Sequence, residues 1–101
     1  EVVANNIFNT ISFKYPKVFQ KKELENLSNI FKEKSMGNIL RAKGIIKAED
    51  QNFVHFDFTP NHFKIEVIEN PKETKVAFIG TDLNKEKLSE IFANILGGER
   101  N

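Results

Sequence analysis

The chain has 101 residues, fifteen Lys and Arg against fourteen Asp and Glu for a formal charge of +1, 40% apolar residues and no cysteine. That length suits one domain with its own core, the near-neutral balance offers no global field for nucleic acid or anionic lipid, and disulfides, thiolate metal ligands and a cysteine nucleophile are excluded from these residues. No apolar run approaches the roughly 20 residues of a membrane helix and no signal-peptide pattern opens the chain, so the expectation is a cytoplasmic protein with no membrane and no nucleic-acid partner.

Residues 1–6 lack periodicity and end in Asn5-Asn6, the pattern of a linker. Because the chain does not open with methionine, Glu1 is expected to be an internal position. The expected division is 1–6 as the linker from a missing N-terminal domain, 7–97 as the folded domain and 98–101 as a tail. Residues 7–15 set Ile7, Ile11, Phe13 and Tyr15 against Thr10, Ser12 and Lys14, a strand that Pro16 stops. Leu24, Leu27, Ile30 and Phe31 recur at helical spacing and predict a helix over 21–34, ended at Met36-Gly37 by a glycine cap.

Residues 39–48 form the second expected strand, with Arg41 and Lys43 on one face and Leu40, Ala42 and Gly44 on the other. The small side chains leave room for a close neighbour at Ala42 and Gly44. Residues 49–52 turn into a strand at 53–58, which makes a hairpin. After Thr59-Pro60-Asn61, residues 62–68 alternate Phe63, Ile65 and Val67 against Lys64 and Glu66, a third antiparallel neighbour. Residues 69–74 are a loop with Pro71. Residues 75–80 are apolar on both faces, which predicts a central or covered strand.

Leu88, Ile91, Phe92, Ile95 and Leu96 mark the last helix, with Asn84 as N-cap, Leu83 and Leu88 as a hydrophobic staple, and Gly97-Gly98 as the stop. The order β-α-β-β-β-β-α predicts an α+β fold: a two-layer sandwich of a mainly antiparallel four- to five-stranded sheet and two helices. Ten phenylalanines and no tryptophan predict a core filled by aromatic rings.

None of the five glycines precedes a Lys-Ser or Lys-Thr pair at a helix start, so no phosphate-binding loop is present. No serine sits in a nucleophile elbow. No catalytic or cofactor-binding residue is therefore assigned. His55 and His62 flank the turn between two strands near Asp57 and Glu66 and are the only weak candidates for a zinc site, although their separation matches no local ligand spacing. Arg41 and Lys43 have two readings: a docking ladder on an open sheet face, or cross-strand pairs with acids such as Asp57 or Glu66. Phe53, Phe56, Phe58 and Phe63 lack the basic motif that accompanies base-stacking sheets and read as core.

Three ordered blocks, Gly37-Asn38-Ile39-Leu40-Arg41-Ala42-Lys43-Gly44, Phe56-Asp57-Phe58-Thr59-Pro60 and Phe78-Ile79-Gly80-Thr81-Asp82-Leu83, resemble the C-terminal domain of CobW-type proteins, and Leu88 and Phe92 continue the last block as its helix. The resemblance runs from Ile7 to Phe92. It implies a domain appended to a P-loop GTPase that handles metal ions, described as a zinc metallochaperone or cobalamin-synthesis protein. The family's phosphate-binding loop and cysteine-rich metal motif belong to the GTPase domain, and neither occurs in these residues. GTP and a divalent metal such as zinc are thus implied for the parent protein, not for this domain. The implied role is a non-catalytic accessory domain that docks on the N-terminal GTPase domain of the same chain or on a metalloprotein client. The alternative is a direct zinc-binding module using His55 and His62. One departure is local: Asn61-His62-Phe63 stands where a glycine-containing turn is expected.

Overall fold

The computed structural model describes residues 8–94. They form β1 (Asn9–Lys14), α1 (Lys21–Glu25), α2 (Leu27–Lys32), a 3-10 turn at Lys34–Met36, β2 (Asn38–Lys47), β3 (Phe53–Thr59), β4 (His62–Ile68), β5 (Lys75–Thr81) and α3 (Lys85–Phe92). The predicted parts assigned to Ile7, Ile95, Leu96, Gly97 and Gly98 lie outside the described residues.

The strands make one antiparallel sheet in the order β1-β5-β2-β3-β4. β5 is therefore an interior strand, flanked on both sides as its apolar composition predicts, and it separates β1 from β2 to give a split β-α-β arrangement. Only one of its faces is covered: Val76 and Phe78 are buried while Ile79 stays 40% exposed. The helices lie against the other side of the same core, which makes the expected two-layer α+β sandwich.

Six of the ten phenylalanines, Phe19, Phe31, Phe56, Phe58, Phe78 and Phe92, are buried. Phe31 is the hub. Its ring lies 5.5 Å from Phe56, 5.1 Å from Phe58 and 6.0 Å from Phe78, and it stacks on Phe92 at 5.8 Å. Offset and edge-on contacts of this kind add to plain area burial. Phe53 departs from the expectation of a core position: it lies on the open face, with the Lys47 ammonium 5.7 Å from its ring centre. Even-numbered Val54, Phe56 and Phe58 take the buried side, and a two-residue period leaves odd-numbered Phe53 outside.

The predicted helix over 21–34 is broken into α1 and α2 at Asn26, whose backbone sits at φ −99°, ψ 2°. The Asn26 side chain accepts a hydrogen bond from Asn29 at 3.0 Å, the kind of local polar competition that makes asparagine a poor interior helix residue. After the break, Leu27 and Phe31 are aimed into the core. Gly37 then adopts φ +98°, and a Cβ there would overlap the Asp82 carbonyl, so both torsion and space call for glycine.

In α3, the Asn84 side chain accepts from the Lys87 N–H at 3.1 Å, the predicted N-cap, and Leu88 is fully buried while Leu83 packs on the core. The helix ends sooner than its apolar stripe suggests. Ala93 is already extended, and the Phe92 carbonyl accepts from the Lys17 N–H at 3.0 Å. A tertiary partner thus takes over a carbonyl that the helix end leaves open.

Candidate functional site

Arg41 and Lys43 lie on the sheet face opposite the helices. β2 reaches that geometry through a register shift between Ile39 and Arg41 against β5. This bulge corrects the simple alternation: Ile39, not Leu40, joins Ala42 and Ile46 in the core, and Leu40 is half-exposed. Beyond it, Gly44 faces β5 so closely that a Cβ would meet the Val76 Cα at 2.7 Å. The close approach expected at that glycine is present.

Pairing brings the open-face residues into rows. One runs Ser12, Ala77, Lys43, Asp57, Lys64 across all five strands, and the next runs Lys14, Lys75, Ile45, His55, Glu66. Thr10, Ile79 and Arg41 form a third row on the other flank. The face thus mixes apolar residues, Ile45, Ala77 and Ile79, with charged ones: Lys43 and Asp57 sit at its middle, and Lys14, Lys75 and Lys64 lie toward its flanks.

Arg41 is engaged within the domain. Its Nε donates to Asp57 Oδ1 at 3.2 Å and its Nη2 to Asp57 Oδ2 at 2.9 Å, a two-pronged diagonal pair across β2 and β3. The hydrogen bond from Arg41 lowers the Asp57 pKa below the usual carboxylate range; burial opposes it, and the charges of Arg41, His55 and Lys43 add to the lowering. The same hydrogen bond raises the Arg41 pKa. Lys43 stands directly opposite Asp57 but makes no ion pair within 4.0 Å among the described residues. Of the two, it is the cation left available.

His55 and His62 share the open face but are not brought together. His55 pairs with Glu66, and His62 pairs with Thr59 four positions along the hairpin, which at strand spacing is roughly 13 Å. Among the described residues, no group of three or more His, Asp or Glu side chains converges as a metal site. The intervening turn needs no glycine, because neither Pro60 nor Asn61 has a positive φ.

Lys14, Lys75, Ile45 and Ile79 complete the face and were not singled out from sequence. Each strand's alternation assigns them to a side, but only the strand order makes them neighbours. No helix among the described residues is long and apolar enough to cross a membrane.

This combination, a five-stranded antiparallel sheet with helices on one side and an open mixed apolar and basic face on the other, defines a two-layer α+β domain. A family model described as the cobalamin synthesis protein cobW C-terminal domain matches residues 8–96, and the chain belongs to that family. Comparison with curated protein sequences gives no match. Among solved structures, Zn(II)-bound YjiA GTPase from E. coli has the same fold, with a TM-score of 0.66 and 18% identity over 93% of this chain and 30% of that one. A Zn(II)-bound triple mutant of YjiA GTPase gives the same score and identity over 82% of this chain and 28% of that one. The chain therefore spans less than a third of either structure's length.

Proposed function

We propose that this domain is a non-catalytic accessory module of a CobW-like, metal-handling GTPase. It docks through the open sheet face on the GTPase domain of the same chain or on a metalloprotein client. The observation that carries the reading is the face itself: a side of the sheet that no second layer covers among the described residues, on which Ile45, Ala77 and Ile79 are interspersed with lysines. Exposed apolar side chains rimmed by polar ones commonly mark docking surfaces. Family membership supplies the partner class, and the Zn(II)-bound GTPases that share the fold support GTP and zinc as ligands of the parent protein.

The mechanism is coupling. A nucleotide-dependent change in the GTPase domain alters its contact with this face and so alters client access or metal release, to the extent that the two states bind the face differently. Lys43 offers a free cation for that contact, and Arg41 offers one edge of its pair with Asp57. The test places Arg41→Ala and Lys43→Ala in the parent protein and measures GTP turnover and client binding. Loss of either, with the fold intact, supports the reading. Unchanged values for both variants sink it. The alternative, direct zinc binding through His55 and His62, has less support because the two imidazoles stand apart on the hairpin. Calorimetric zinc titration of the isolated domain distinguishes it.

A further inference from the structure

β4 closes one side of the sheet, and among the described residues its outer edge pairs with nothing. Natural proteins usually blunt such an edge with proline, a bulge, inward-pointing charges or charged side chains such as lysine. β4 has only the last, Lys64 and Glu66, and both lie on the open face. Residues 62–68 contain no proline, the ladder to β3 runs through seven consecutive pairs without a shift, and the residues pointing to the helix side are Phe63, Ile65 and Val67. Phe63 packs on the core, but the helices leave the other two uncovered: Ile65 remains 38% exposed and Val67 62%.

The free backbone groups can be identified. A two-residue turn joins Thr59 to His62, so these two form a hydrogen-bonded pair, and alternation along an antiparallel ladder makes His62, Lys64, Glu66 and Ile68 the residues bonded to β3. The N–H and C=O groups of Phe63, Ile65 and Val67 therefore point outward at the edge. Three of the four apolar side chains of β4 belong to them; the fourth, Ile68, lies on the open face.

We propose that β4 pairs antiparallel with β4 of a second copy of this chain, about a two-fold axis at Ile65, to make a continuous ten-stranded sheet. A two-fold contact must be self-complementary, and this segment is. With the axis at Ile65, Ile65 meets its own copy, Phe63 meets Val67, and every outward N–H and C=O of these three residues finds a partner. On the open face, Lys64 meets Glu66 of the second copy, and Glu66 meets Lys64 of the second copy. A shift of two residues in either direction sets Lys64 against Lys64 or Glu66 against Glu66 instead. Charge pairing thus selects one register, and the pairing covers the apolar side chains that the helices leave exposed. Opposite charges favour such cross-strand neighbours and like charges disfavour them.

Sedimentation of the 101-residue chain over a concentration series, with amide hydrogen exchange of the same samples, tests the proposal. The expected result is a monomer–dimer equilibrium in which the amides of Phe63, Ile65 and Val67 gain protection with concentration, while those of Lys64 and Glu66 are protected throughout. Lys64→Glu and Glu66→Lys each replace two attractive pairs by two repulsive ones and weaken the dimer roughly tenfold or more. An equimolar mixture of the two variants restores it as a heterodimer. The proposal is overturned by a chain that stays monomeric at all concentrations, by self-association that leaves the Phe63, Ile65 and Val67 amides unprotected, or by folded variants that do not recover on mixing.

Discussion

Arg41 and Asp57 grip each other diagonally across β2 and β3 with two charge-assisted hydrogen bonds, 3.2 Å at Nε and 2.9 Å at Nη2. Lys43 stands directly opposite the same residue on β2, and Lys64 is its cross-strand partner on β4. Of these three cations only Arg41 is ion-paired with the acid among the described residues. A partner that uses Arg41 must accept its orientation as Asp57 holds it.

Asp57 titrates below an ordinary carboxyl because Arg41 hydrogen-bonds its ionised form. A carboxyl with a lowered folded-state pKa contributes its stability above the unfolded value of about 3.9, and that contribution disappears as the pH falls through the folded pKa. Asp57→Asn removes the term, so stability should fall less steeply below about pH 4 than in the unsubstituted chain. The effect is small because solvent screens an exposed pair. Urea midpoints taken from neutral to acidic pH measure it; identical slopes for both proteins would remove the pair from the acid response.

Phe31 touches four other rings, and Phe31→Ala should cost about 3–5 kcal/mol. Small domains have about 5–15 kcal/mol in total, so the variant is expected to be partly unfolded or close to it. Chemical denaturation followed by far-ultraviolet circular dichroism reads the loss.

Gly44→Ala places a Cβ against the backbone at Lys75 and Val76. Backbone cannot rotate away as a side chain can, so β2 and β5 must separate locally, with an expected loss of about 1–3 kcal/mol. The same substitution at a site with open space should be nearly neutral. An unchanged urea midpoint would show that the strands accommodate the methyl group.

Asn84 holds two loops together: its Oδ1 accepts from the Lys87 N–H at 3.1 Å, and its Nδ2 donates to the Ser35 carbonyl at 3.2 Å. Asn84→Ala should lose about 0.5–2 kcal/mol through the cap alone. Asn84→Asp keeps the cap acceptor and loses the donor to Ser35, so it should fall between Ala and the native residue. Equal stability of the Asp and Ala variants would mean that the bond to Ser35, not the cap, matters.

Features set by neighbours along the chain were legible before the structure. The alternation of β4, the Asn84 cap with Leu83 and Leu88 around it, and the three blocks of family resemblance all depend on local spacing. Phe53 was misread because burial preference is averaged over sites, whereas its side of the sheet is decided by one step of parity from Val54. The end of α3 at Phe92 was misread for a different reason. Its carbonyl is taken by Lys17, a residue from the other end of the chain.

The candidate site divides in the same way. Sequence alone determined that Arg41 and Lys43 share a strand face, that Asp57 and Glu66 were available partners, and that no phosphate loop or cysteine site accompanies them. Only the tertiary structure decided that Asp57 takes Arg41 while His55 stands opposite Glu66, that β5 lies between β1 and β2, and that Ile65 and Val67 escape the helices. The physical reason is range. A two-residue period fixes which way a side chain points, but the partner it meets depends on strand order and register, which are settled by closing long loops and burying one common core.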